Sequence, residues 1–571
     1  MSYVIGVSSG AFTVTGQEEK IQLIGLFKKA QSSITKGIQF IQLDLESVAE
    51  FREPDLHPHL KRIEEMGITF GVHSETAAFG IEMSEPDSAI QVDYEYGHNR
   101  LAEVLQESGS IGAKYVLIHS SESVPFALLG RHLQPAILVD VWGRSLKKFI
   151  EENGWVIDWI IPKDLKSDGA FIWDDILPRS LSEWVESRVN DRREEYMMAR
   201  HPREAEPPED LKQKWRDYYI NDLKDYFIGF IESRAHHYGP ERYAYFIIAK
   251  WMEKNNDPLW SSIVEMNIKF FAEYEKKTSE KWLADKKIER VNGKWSIDNK
   301  NFRNEYKLWV PAVSAKYLWG HFNQDKCPDG KQYVDLKEKL KVKKDDKEYI
   351  MPLVLESPMA HRGTEEWLRL PNPLQFYYLA KEINKGAGFE AVAIAFDLEH
   401  MISIRVDPET VLKLLPEDGG KLVRVIHAGW PAPLAPAHLP IHLGSEQQFY
   451  LYKIYYKLKE KGFGGESNKD CYMIFERGGP ETFQESVLSL RNIISFLEKG
   501  IRPEDLIKHP EFSGIVTGEI ASEERQRAII VDHAEEPLKG LLMVPEEKYG
   551  FFSRAAVEKG KTKEWEKEEF R

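Results

Sequence analysis

Eight short segments of this chain are almost uninterruptedly apolar and β-branched, and no other feature limits its fold as much. They are Tyr3–Ser9 (YVIGVSS), Ile38–Leu45 (IQFIQLDL), Ile68–His73 (ITFGVH), Lys114–His119 (KYVLIH), Tyr349–Glu356 (YIMPLVLE), Ala391–Asp397 (AVAIAFD), Leu422–His427 (LVRVIH) and Asp470–Glu476 (DCYMIFE). A strand with one face in water alternates apolar and polar residues, whereas a strand buried on both faces of a parallel sheet reads as a continuous run. Helical stretches fall between them, at Glu18–Ile34, Asp55–Met66, Gly97–Ser108, Pro373–Lys385, Glu446–Lys461 and Glu481–Lys499. Lys385-Gly386 and Lys461-Gly462 are expected to close two of these helices, because glycine adopts the left-handed cap conformation without a Cβ penalty. Strands and helices alternating in this way predict an α/β protein, a (β/α)8 TIM barrel, with an open doubly wound sheet as the competing arrangement.

One interval is out of scale. From His119 to Glu356 is 237 residues, whereas the other strand-end spacings from His73 onward run from 30 to 49. The barrel is therefore expected in two parts, 1–123 and 346–500, separated by an insertion at 124–345 and followed by an extension at 501–571. The insertion holds 12 of the 15 tryptophans, from Trp142 to Trp319, and includes helix-like stretches such as Leu211–Ser233 and Glu241–Asn255. So many large aromatic rings need a core of their own, which predicts a folded, mainly helical subdomain between the fourth and fifth strands. The charged run Val557–Arg571 reads as a solvated helix at the end of the extension.

Composition narrows the functional classes. Two cysteines, Cys327 and Cys471, argue against a disulfide framework and against thiolate metal ligation. The first residues lack the zones of a signal peptide, and no run of about 18 apolar residues occurs, so the expected location is cytoplasmic with no membrane partner. A net charge of −15 disfavours a uniformly basic nucleic-acid surface. Metal ions in an acidic cleft would nevertheless supply a positive field locally.

The chemistry lies at the strand ends. The last residues of six successive strand candidates are His73, His119, Glu356, Asp397, His427 and Glu476. In a (β/α)8 barrel the carboxyl ends of the strands converge on one rim. Any one of these side chains alone would read as an ordinary core or surface residue. Three imidazoles and three carboxylates aimed at one volume cannot all be so, because buried, uncompensated carboxylates cost several kcal/mol each. Nitrogen and oxygen donors without sulfur suit Zn²⁺, Mn²⁺ or Fe²⁺. Six ligands exceed one tetrahedral ion, which predicts two ions bridged by a carboxylate. His400, three residues after Asp397, returns to the same rim if a helix starts there, and His438 and His442 lie on a loop after the seventh strand.

The ordered pieces Gly-Val-His73, Leu-Ile-His119, Val-Leu-Glu356, Phe-Asp397-Leu-Glu-His400, Val-Ile-His427 and Ile-Phe-Glu476 resemble the endonuclease IV family, within the xylose-isomerase-like TIM-barrel superfamily. The resemblance covers roughly 1–123 and 346–500. It implies a cluster of two or three Zn²⁺ ions, with Mn²⁺ as the substitute, and cleavage of DNA at abasic sites. It also implies that His73 and His119 hold one zinc and that Glu356 bridges to a second. Asp397, His427 and Glu476 would complete the second site, and His400 would belong to the third. The family's third-zinc Asp-x-His pair, counted back from Leu443-Gly444, falls on His438 and Pro440, with His442 nearby. The loop after the second strand, basic and aromatic in the family, reads Asp44-Leu-Glu-Ser-Val.

The first expectation is thus a metal-dependent phosphodiester hydrolase acting on DNA, in which Glu356 and Glu476 position the nucleophile through the metals. The alternative on the same scaffold is a sugar isomerase or epimerase. There one Mn²⁺-type ion would be held by Glu356, Asp397, His427 and Glu476, and the two glutamates would also shuttle protons. The additional imidazoles of His73, His119 and His400 are the feature that separates the two. A third, non-enzymatic reading is a binding scaffold whose insertion does the work; ligands at all six strand ends speak against it.

Overall fold

The structure, a computed structural model, describes residues 2–9, 26, 30, 38–45, 47–74, 86–121, 137–160, 181–199, 206–233, 239–344, 346–358, 368–431, 438–465, 469–476 and 483–506. Two compact units emerge. The first comprises Met1–Met83, Leu101–Ser123 and Asp335–Arg571, and the second Ser84–Arg100 and Val124–Val334.

The first unit is built on eight parallel strands: β1 (Ser2–Ser8), β2 (Phe40–Asp44), β3 (Thr69–His73), β4 (Val116–His119), β5 (Leu353–Glu356), β6 (Val392–Asp397), β7 (Val423–Ala428) and β8 (Asp470–Phe475). They close in the order β1-β8-β7-β6-β5-β4-β3-β2. This is the (β/α)8 TIM barrel that the eight apolar runs predict, and closure rules out the open sheet. The runs are continuous because both faces are covered: every residue of β5, β6 and β7 is buried. The interior is filled by Phe40, Tyr115, Leu117, Val354, Ala393, Ala395, Val425, Tyr472 and Ile474. Three of these rings pack together, Phe40 lying 4.2 Å from Tyr472 and 5.7 Å from Tyr115 between centroids. Gly71 on β3 is what admits Tyr115, since a Cβ there would stand 2.5 Å from the ring.

Register aligns the strand ends that carry the chemistry. Asp44 pairs with His73, His119 with Glu356 and Asp397 with His427. The helices of this unit include α1 (Leu56–Glu65), the part of α2 (Gln91–Ile111) from Leu101 onward, α3 (Pro373–Ala387), α4 (Leu398–Ser403), α5 (Glu446–Glu460) and α6 (Phe483–Lys499). Helix α3 starts at a capping box between Asn372 and Gln375, with Pro373 in the first turn, where its missing N–H costs nothing. It ends at Gly388 in the left-handed conformation rather than at the expected Gly386, which lies inside the helix. Helix α5 does stop at Lys461, just before Gly462 at φ 101°.

The expected strand Tyr349–Glu356 divides. Lys347–Ile350 pairs antiparallel with Lys341–Lys344 in a separate hairpin, and only Leu353–Glu356 enters the barrel. Pro352 marks the break: it has no N–H for a ladder, but its carbonyl accepts from Val116 N at 3.1 Å. Of the expected helix Glu18–Ile34, only Leu26 and Ala30 are described, both helical. The run Val557–Arg571 lies outside the described residues.

The insertion between β4 and β5 is mainly helical, with helices such as Glu209–Ser233, Gly239–Lys254, Pro258–Tyr274 and Tyr306–Phe322. Among its described tryptophans, Trp142, Trp260, Trp282, Trp309 and Trp319 are buried, and Trp142 meets Trp251 edge-on at 5.7 Å. A buried Lys316–Asp257 ion pair at 2.8 Å stacks its ammonium over Trp319, 3.4 Å from the centroid. Among the described residues no helix is long and apolar enough to cross a membrane.

Candidate metal centre

His73, His119, Glu356, Asp397 and His427 each end a barrel strand or lie next to its end, and Glu476 directly follows β8. The structure gathers them, with His400, into three groups whose ligand atoms lie within 4.8 Å of one another. These are His73–His119–Glu356, Glu356–Asp397–His400 and Asp397–His427–Glu476. Glu356 is central and fully buried. Its Oε2 lies 3.4 Å from Nε2 of His73 and 3.4 Å from Nε2 of His119, and its Oε1 lies 2.5 Å from Nδ1 of His427. That same His427 nitrogen stands 3.3 Å from Asp397 Oδ2 and 3.5 Å from Glu476 Oε2.

Local structure aims these atoms. Asp397 caps α4, its Oδ1 accepting from His400 N at 2.8 Å, which leaves Oδ2 facing His427. The helical start turns His400 back to the rim, where its Nδ1 donates to Ser357 O at 2.9 Å. Nδ1 of His73 likewise donates to Ser74 O at 2.9 Å, so a neutral His73 turns the lone pair of Nε2 toward Glu356. Nε2 of His427 faces Gln42 Oε1 at 3.0 Å, so the opposite nitrogen faces the carboxylates.

In their neutral forms His73 and His427 therefore set acceptor against acceptor, which a positive charge reconciles. Burial alone would discourage charge on His427, but Glu356 and Glu476 overcome it and raise its pKa well above the ordinary value. Burial is likewise offset at Glu356, which His427 and His400 hold well below the usual carboxylate range. His73 is raised, its burial outweighed by Glu356, whereas burial prevails at His119 and lowers it. Among the described residues, both oxygens of Glu356, Oδ2 of Asp397 and Nδ1 of His427 are buried without a well-directed hydrogen bond. Orphaned lone pairs of these types, converging in this way, fit a divalent cation. Each of the three groups, His73–His119–Glu356, Glu356–Asp397–His400 and Asp397–His427–Glu476, could hold such an ion.

The loop histidines fare differently. His438 pairs through its backbone with Pro431 in a two-residue antiparallel strand; its side chain lies outside the described residues. His442 faces Glu485 at 3.0 Å with its side chain 42% exposed, and among the described residues it belongs to none of the three groups. Sequence reasoning passed over Gln42 and Tyr115, both buried beneath the centre. A signal existed: Gln42 interrupts the apolar run of β2 two residues before Asp44, and therefore on the same strand face.

No family model matches the sequence, and no curated protein matches it. Solved structures that match include a D-tagatose 3-epimerase-like protein at 11% identity and a TM-score of 0.34, covering 87% of this chain and 98% of that one. An L-ribulose 3-epimerase matches at 9% and 0.34, covering 89% and 99%. A 3-keto-D-glucoside 4-epimerase from E. coli matches at 9% and 0.30, covering 86% and 99%. Likeness at this identity concerns the fold. The expectation of a metal-dependent DNA hydrolase is nevertheless corrected: these structures are epimerases by name, an isomerase class, and none of the three is an endonuclease.

Proposed function

We propose that this protein is a metal-dependent sugar isomerase or epimerase. The observation that carries the reading is the convergence of three carboxylates on one imidazole nitrogen, with Glu356, Asp397 and Glu476 at 2.5, 3.3 and 3.5 Å from Nδ1 of His427. Asp397 and His427 would hold a divalent cation, Mn²⁺ or Zn²⁺, between two glutamates from strands on either side. Such a cation would polarise a carbonyl and a neighbouring hydroxyl of the substrate, making the hydrogen on the adjoining carbon acidic. Glu356 and Glu476 would then remove and return that proton. Return to the opposite face inverts the carbon, whereas return to the neighbouring carbon moves the carbonyl.

The remaining imidazoles suit the same chemistry. His73, His119 and His400 crowd Glu356 within 3.8 Å and would either hold a second cation or hydrogen-bond with substrate hydroxyls. Depth also favours a small polyol: Glu356 and Asp397 are at most 1% exposed.

The test is metal analysis of the purified protein, then incubation with a panel of ketopentoses and ketohexoses in D₂O. Deuterium should enter beside the carbonyl of at least one sugar, as read by NMR, and chelator should abolish the exchange. Metal-loaded protein that exchanges no proton with any ketose would sink the proposal.

A further inference from the structure

We infer that Gln42 is a positioning residue, whose amide orients the His427 ring so that Nδ1 presents its lone pair to the cation. The inference rests on the reading of Asp397, His427 and Glu476 as holders of a metal ion. Gln42 is fully buried on β2 and, among the described residues, its side chain makes three polar contacts. Its Oε1 accepts from Tyr115 Oη at 2.9 Å and faces His427 Nε2 at 3.0 Å, while its Nε2 donates to Asp44 Oδ1 at 3.3 Å.

The direction of this chain follows from which groups can donate. A carboxylate accepts hydrogen bonds, so the end of the amide that faces Asp44 is the NH₂. The carbonyl end must then face His427, and a carbonyl accepts only. Nε2 of His427 therefore carries a hydrogen, and in the neutral imidazole Nδ1 is left with the lone pair. Asp44 is anchored in turn by Ser8 Oγ, and its backbone N–H donates to Ser9 Oγ at 2.9 Å. An ordered path thus runs from β1 through Asp44 and Gln42 to the ring that faces three carboxylates. Outer partners of this kind fix the tautomer and ring orientation of ligating histidines.

The test uses the full chain and Co²⁺ as the probe, with affinity from calorimetry and ligand geometry from the visible absorption spectrum. Gln42→Leu removes the acceptor while keeping an apolar group of similar length. It should weaken Co²⁺ binding by about 10- to 100-fold, the usual effect of removing an outer partner, and alter the spectrum. The double variant Gln42→Glu/Asp44→Asn reverses the donor between positions 42 and 44 at constant net charge. Glu at 42 still accepts from His427, so wild-type affinity and spectrum should return. Tyr115→Phe, which spares the His427 contact, should bind as wild type.

A purely structural role would lower the melting temperature of Gln42→Leu without changing its Co²⁺ affinity or spectrum, and that result overturns the inference. Should Gln42→Leu fail to fold, the ring ¹⁵N spectrum of the loaded wild type decides, with His427 assigned by its loss in His427→Gln. Hydrogen on Nε2 and metal on Nδ1 support the inference; the reverse overturns it. A wild type that takes up no cation refutes the metal reading itself, and this inference with it.

Discussion

Gly71 links barrel packing to the candidate centre, and replacing it with alanine tests that link quantitatively. The new Cβ would stand 2.5, 2.7 and 2.8 Å from Cζ, Cε1 and Cε2 of Tyr115. Ordinary carbon contacts lie at about 3.5–4.0 Å, so the ring must retreat by about 1 Å. Behind it stand Phe40 and Tyr472 at 5.7 and 5.2 Å, and its hydroxyl is tied to Gln42 at 2.9 Å. Overpacking of this kind costs about 1–3 kcal/mol. Loss of the buried hydrogen bond to Gln42 adds about 1 kcal/mol, for a total near 2–4 kcal/mol. A chain with two compact units is not expected to unfold in one step, so the assay is native-state amide exchange at Val72 and Val116, which flank the contact. Tyr115→Phe isolates the hydroxyl. Tyr115→Leu removes the ring, and combining it with Gly71→Ala should cost about 1–2 kcal/mol less than the two changes summed. If Gly71→Ala alone costs less than about 0.5 kcal/mol, or if the double variant is additive, the packing argument is wrong.

Other outcomes follow from the centre. Glu356→Gln and Glu476→Gln should each slow proton exchange into a ketose substrate by about 10²- to 10⁴-fold, the usual contribution of a general acid or base; NMR wash-in rates measure it. In the metal-free protein the raised pKa of His427 means that its contribution to stability is fully present below 6.5 and lost as pH rises through the raised value. A cation on Nδ1 displaces that proton, so at pH 7 binding should release about one proton, and affinity should climb with pH across the same window. Calorimetry in buffers of differing ionisation enthalpy reads the release, and zero protons would contradict the assignment. His442→Ala removes a half-exposed pairing with Glu485 at 3.0 Å; it should cost at most about 1 kcal/mol and leave the metal content unchanged.

The hydrophobic pattern alone pointed to eight parallel strands buried on both faces, because such strands have no polar alternation; closure into a barrel rather than an open sheet was decided by the tertiary structure. The convergence of His73, His119, Glu356, Asp397, His427 and Glu476 was equally legible, since parallel strands in a barrel share one carboxyl-terminal rim. Tertiary structure decided which atoms meet. Glu356 proves central because its two oxygens face different imidazoles, and Gln42 matters because closure of the sheet brings β2 beneath a histidine 385 positions away. His442 turns to Glu485 on α6 instead of the rim, an outcome set by helix packing. Local sequence specifies strand ends and caps through short-range sterics and hydrogen bonding. Contacts between residues hundreds of positions apart arise only once closure has fixed the strand order, and the pairing of lone pairs and protons in the centre follows from those contacts.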